Sequence, residues 1–127
     1  MNFVTNKKSN IPGNNMEDLR SEWNKVITFC KDKVEKNPDM NGVLFLVGIR
    51  ERGLGPGNFT KEQKQDLMNL ALCRVLSRSG YFEETETDND GWPHFQQSKP
   101  FPKMGVVGQE KFIKEHLIMY FKDEELI

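Results

Sequence analysis

The apolar run Val43-Leu44-Phe45-Leu46-Val47 has no polar face, and it is followed closely by the glycine-rich segment Gly53-Leu54-Gly55-Pro56-Gly57-Asn58. A run of that kind must be buried on most sides, so the rest of the chain has to cover it. An uninterrupted apolar run has no period, and apolarity alone therefore does not separate a buried strand from a buried helix. The boundaries favour a helix. Asp39 follows Pro38 as an N-cap, Arg50 and Arg52 fall in the last turn, and Gly53 stands where a left-handed C-terminal residue is wanted. The result is a helix of about nine to thirteen residues, a common length. Gly42 and Gly48 each weaken it by roughly 1 kcal/mol relative to alanine, unless they let another element come close. The alternative is a strand over residues 43–49, which would make the fold α+β.

Around this hub the pattern predicts three more helices and a hairpin. Leu19, Trp23, Val26, Ile27, Cys30 and Val34 follow spacings of three and four over residues 16–36, until Asn37-Pro38 breaks the pattern. Thr60 and Gln63 match a capping box, and the apolar face from Leu67 to Leu76 carries that helix toward Gly80. Residues 82–87 suit a strand, Asp88-Asn89-Asp90-Gly91 a turn, and residues 92–97 the return strand, with Pro93 confining it to an edge. Residues 98–107 read as a loop. Residues 108–122 close the chain as a helix with Phe112, Ile113, Leu117, Tyr120 and Phe121 on one face. Its acidic end, Asp123-Glu124-Glu125, opposes the helix dipole and predicts fraying. Residues 1–15, polar and poor in apolar anchors, are expected to form a flexible N-terminal arm ahead of a single globular domain over residues 16–127.

Composition narrows the function classes. A chain of 127 residues is one domain, long enough to bury a core without a metal or disulfide. Eighteen basic against nineteen acidic residues leave a net charge of -1, which gives no global footprint for nucleic acid or an anionic membrane. Cys30 and Cys73 sit within apolar helical stripes, as free thiols in a reducing compartment do. No secretory pattern and no run of membrane-spanning length is present, so a cytoplasmic, soluble protein is expected.

Several motifs touch on known chemistry without completing it. Gly53-x-Gly55-x-x-Asn58 lacks a third glycine and a following Lys-Ser/Thr pair, and Pro56 removes an amide, so it reads as a turn and not a phosphate cradle. Glu86-x-Asp88-x-Asp90-Gly91 begins like a calcium loop but has Gln97 where a bidentate glutamate is required. The two cysteines and two histidines show no paired ligand spacing, so neither a metal nor another cofactor is expected. His94 stands among Trp92, Pro93 and Phe95 and, across the hairpin, opposite Glu83, Glu84 and Glu86; a histidine beside carboxylates can work as acid or base near neutral pH. The candidate pocket is therefore Arg50, Arg52, Glu83, Glu84 and His94. The candidate partner surface is Trp92, Phe95 and Phe101, aromatic residues on and behind an edge hairpin.

The phrases at residues 44–53, 59–68 and 90–95, among them Leu-Phe-Leu-Val-Gly-Ile-Arg-Glu-Arg-Gly and Asp-Gly-Trp-Pro-His-Phe, resemble a small uncharacterised family of hypothetical proteins from Bacteroidetes-type bacteria. The resemblance implies a bacterial cytosolic protein and carries no activity. The expectation is thus a mainly α, compact four-helix domain with a buried central helix and one β-hairpin. Its function is expected to be that of a non-enzymatic interaction or structural module, as a homodimer or with another protein. The alternative is a small-molecule binder or enzyme with its pocket near the hairpin at residues 81–97.

Overall fold

The computed structural model describes residues 16–127 apart from Pro56, so the expected arm over residues 1–15 lies outside the described residues. The described elements run α1 (Met16–Cys30), α2 (Met40–Arg52), α3 (Lys61–Ser77), β1 (Phe82–Thr87), β2 (Pro93–Gln97) and α4 (Val106–Asp123). The fold is mainly α with one antiparallel hairpin, and the run at residues 43–49 is helical.

The ends of α2 explain why. Asp39 accepts a 2.9 Å hydrogen bond from the Gly42 amide, and Gly53 turns left-handed at φ 69° with its amide on the Arg50 carbonyl. Within the helix, a side chain at Gly48 would collide with the Leu67 carbonyl. That glycine lets α2 and α3 approach backbone to backbone, and α3 is the most extensive neighbour of α2. At the start of α3, Thr60 and Gln63 complete a reciprocal capping box.

The core draws Val26 and Cys30 from α1, Val43 and Val47 from α2, Ala71 and Val75 from α3, and Leu117, Ile118, Tyr120 and Phe121 from α4. Burying each large side chain stabilises the fold by about 1.5–3 kcal/mol. His116, Leu117 and Ile118 are buried in succession, so the second half of α4 is enclosed around more than half its circumference. It shares the centre of the domain with α2.

Several element ends differ from the sequence expectation, among them the start of β2 at Pro93 instead of residue 92. Helix α1 stops at Cys30 rather than residue 36. Asp32 adopts a left-handed φ of 66° and donates its amide to the Glu35 carbonyl at 3.0 Å. Aspartate tolerates that conformation, and side-chain periodicity does not register it. Helix α4 begins two residues early, at Val106, with Gly105 as its N-cap. The acidic end is held: Arg50 and Arg78 grip Glu124, Arg78 also meets Asp123, and the Leu126 amide closes onto the Phe121 carbonyl at 2.8 Å.

In the hairpin, Phe82 pairs with Gln97 and Thr87 with Pro93, with an irregularity between Glu84 and Glu86. Three residues close the loop between Asp88 and Trp92, ending in Gly91 at φ 83°. Both strands are edges of a two-stranded sheet, so Pro93 leaves no ladder donor missing from a central strand. Strand β1 rests against α3.

Candidate functional site

Polar side chains join α2, α3, β1 and α4 in one chain of contacts. Tyr120, fully buried, donates to Glu51 Oε2 at 2.6 Å and accepts from Arg50 Nη1 at 2.9 Å. Glu51 Oε1 receives Arg74 Nε at 2.8 Å, and Arg74 Nη2 reaches Glu84 Oε1 at 3.0 Å. Arg50 continues to Glu124, whose other oxygen is taken by Arg78. Burial, then the neighbouring Glu51 carboxylate, push the Tyr120 phenol up to about 12. The Arg50 and Arg78 guanidiniums hold Glu124 below the usual carboxylate range. Each group in this network is matched by an opposite charge or a hydrogen-bond partner, which is the pattern of a structural clamp.

Of the sequence-predicted pocket, Arg50 stands in the middle of the clamp and Glu84 at its β1 end. Arg52 stacks over the Trp92 ring at 5.0 Å and reaches the Asp90 carbonyl at 3.4 Å. Glu83 is exposed on β1. His94 donates from Nε2 to Asp88 Oδ2 at 2.9 Å, and Asp88 Oδ1 accepts the amides of Asp90 and Trp92. The imidazole and these amides hold the Asp88 carboxyl below its usual range. The five residues therefore do not converge on one pocket, and Arg50, Arg52 and His94 line three different depressions.

His94 borders a cleft of about 450 Å³ between α3 and the hairpin, with Asp66, Cys73, Asp88, Asp90, Trp92 and Phe95 among its walls. Burial pushes the Cys73 thiol up, and pushes Cys30 up to about 11, so both thiols are held away from the reactive thiolate form. Among the described residues, no group of three or more histidine, cysteine, aspartate or glutamate side chains is arranged to hold a metal ion.

The predicted aromatic surface divides between two places. Trp92 and Phe95 line the hairpin cleft, each beneath an arginine, Arg52 and Arg74 respectively. Phe101 belongs to a second depression of about 270 Å³ between α3 and α4, lined chiefly by Leu72, Leu76, Met104, Phe112 and Ile113. Its ring sits 5.6 Å from Tyr81 and 6.2 Å from Phe112, and it remains 40% exposed. In the first turn of α4, between the lining residues Met104 and Gln109 in sequence, Val106 and Val107 are 81% and 84% exposed.

The sequence pattern puts Val106 and Val107 in the loop over residues 98–107, where two valines carry no signal of a surface. At the start of a helix whose core face begins at Phe112, they are apolar residues without a core position. His116, also on α4, is only 8% exposed. The Phe112 carbonyl 2.8 Å from Nδ1 only accepts, so that nitrogen carries the proton, and in the neutral ring Nε2 accepts from the Ser79 hydroxyl at 2.9 Å.

Among the described residues, no helix is long and apolar enough to cross a membrane. Comparisons with family models, curated proteins and solved structures found no match to this chain.

Proposed function

We propose that this protein is a non-enzymatic protein-interaction module whose docking face is the α3–α4 groove with the exposed start of α4. The observation that carries this reading is the pair Val106 and Val107, both more than four-fifths exposed at the start of the helix that walls an apolar groove in which Phe101 is also open. Scattered surface apolar residues are ordinary, but two adjacent β-branched residues that fall in sequence between two residues lining an apolar depression form a patch of the kind that partners cover. The partner is another protein or a second copy. Two free cysteines, one of them buried, support a reducing compartment, as does the resemblance to bacterial cytosolic proteins.

Photo-crosslinking in cells tests the face. Benzoylphenylalanine at Val107 is expected to give discrete adducts, and the same group at the exposed Glu62 of α3 none. An adduct of twice the chain mass identifies a homodimer. Equal smears at both positions, or no adduct at Val107, would reject the reading.

The hairpin cleft supports a second reading, that of a small-molecule binder, through its larger volume and the convergence of Asp66, Asp88, Asp90 and His94. Thermal stabilisation by a di- or polyamine that disappears in Asp66→Asn would favour it.

A further inference from the structure

Resting on the docking face described above, we propose that the occupant of the α3–α4 groove is a short segment of another protein that presents apolar side chains flanked by carboxylates. The groove floor calls for the apolar part. Leu72, Leu76, Met104, Phe112 and Ile113 offer hydrocarbon walls about 270 Å³ in extent, enough for two or three side chains of an amphipathic helix or extended peptide.

The rim calls for the acidic part. Lys99 and Lys103 are the charged residues of the segment at residues 98–105, with no acid among them. Lys99 Nζ lies 4.4 Å from the centroid of Tyr81, whose ring abuts Phe101 and Phe112, so its charge is held at the hairpin side of the groove. Lys103 is exposed between the lining residues Pro102 and Met104. At the far end α4 begins without a side-chain cap, its hydrogen-bond ladder opening with the Gln109 amide on the Gly105 carbonyl. The positive end of that 18-residue helix adds to the two lysines. Glu110, the nearby acid of α4, is neutralised by Lys114 at 2.8 Å.

The same charges argue against a second copy. A two-fold pairing of identical faces brings two rims of the same positive sign together, whichever residues meet across the axis, which is repulsive. The acidic and apolar tail of this chain, Glu124-Glu125-Leu126-Ile127, is not available to a neighbour either. Its Glu124 is held by Arg50 and Arg78, and Leu126 and Ile127 pack on their own core.

The test is a selection from a phage-displayed library of random peptides about 12 residues long against the full chain, each recovered peptide then being measured by fluorescence anisotropy. Three kinds of variant are compared: Gln109→Trp, which fills the groove from an exposed position; Val107→Asp in the first turn of α4; and Lys99→Glu with Lys103→Glu. Recovered peptides are expected to combine leucine, isoleucine or phenylalanine with aspartate or glutamate. They should lose binding to Gln109→Trp and Val107→Asp, and weaken about tenfold on the double lysine reversal, with affinity falling as salt rises. Peptides that need an open groove but carry no acidic excess and ignore the lysine reversal would overturn the acidic partner and leave the docking face standing. Peptides indifferent to Gln109→Trp and Val107→Asp, or no enrichment, would overturn the docking face itself.

Discussion

The Tyr120 hydroxyl and Glu51 Oε2 stand 2.6 Å apart, joining the buried second half of α4 to the end of α2. The phenol donates to the carboxylate while accepting from Arg50, and Glu51 in turn anchors Arg74. Removing the hydroxyl alone leaves a part-buried carboxylate oxygen and a guanidinium short of a partner. Tyr120→Phe is therefore expected to lower stability by about 1–3 kcal/mol while keeping the helix content. Urea unfolding followed by circular dichroism measures it.

The same phenol sets an alkaline limit. Its proton is held up to about 12 in the fold against an ordinary 10. A folded value raised above the unfolded one means that its stabilising contribution is complete below pH 10 and is lost as pH rises through about 12. The full displacement corresponds to about 3 kcal/mol. Stability of the native protein should fall over that window, and Tyr120→Phe should show a shallower fall. A pH series of urea midpoints compares the two.

Gly48 faces the Leu67 carbonyl so closely that a methyl group has no room. Gly48→Ala is expected to force α2 and α3 apart and to cost about 1–3 kcal/mol, despite the gain in helix propensity. Gly57→Ala, where no heavy atom lies within 4 Å of the added carbon, is the control and should change stability by less than about 0.5 kcal/mol. Thermal unfolding of the two variants checks the contrast.

Much of this architecture was legible because its signals are local. The Asp39 cap, the Thr60 capping box, Gly53 and the Asp88–Gly91 turn each declare themselves within four residues, and each appears in the structure. The early end of α1 was not legible, since it rests on a single left-handed aspartate. Nor was the fate of Glu124, because helix-dipole reasoning sees its unfavourable position but not Arg50 and Arg78 arriving from 74 and 46 residues away. The candidate site divides along the same line. His94 was found from its neighbours in the hairpin, whereas the groove is assembled from residues 72 to 113 across two helices and a loop. No short stretch of sequence contains it.

If Val106 and Val107 serve a partner, the fold should not depend on them. Val106→Ser with Val107→Ser is expected to change unfolding free energy by less than about 0.5 kcal/mol, and to weaken peptide binding at the groove about tenfold or more. Denaturation and anisotropy on the same preparation separate the two effects. A large loss of stability would make these valines part of the core and not of a docking face.

The central claim, that partners dock between α3 and α4, is tested most directly by amide chemical shifts. Isotope-labelled protein is titrated with the tightest peptide recovered from the random library. The largest shifts are predicted at Leu72, Leu76, Met104, Val107, Gln109 and Phe112. Shifts centred on Asp66, Asp88 and His94 would place binding in the hairpin cleft and contradict the claim, as would a spectrum that does not change.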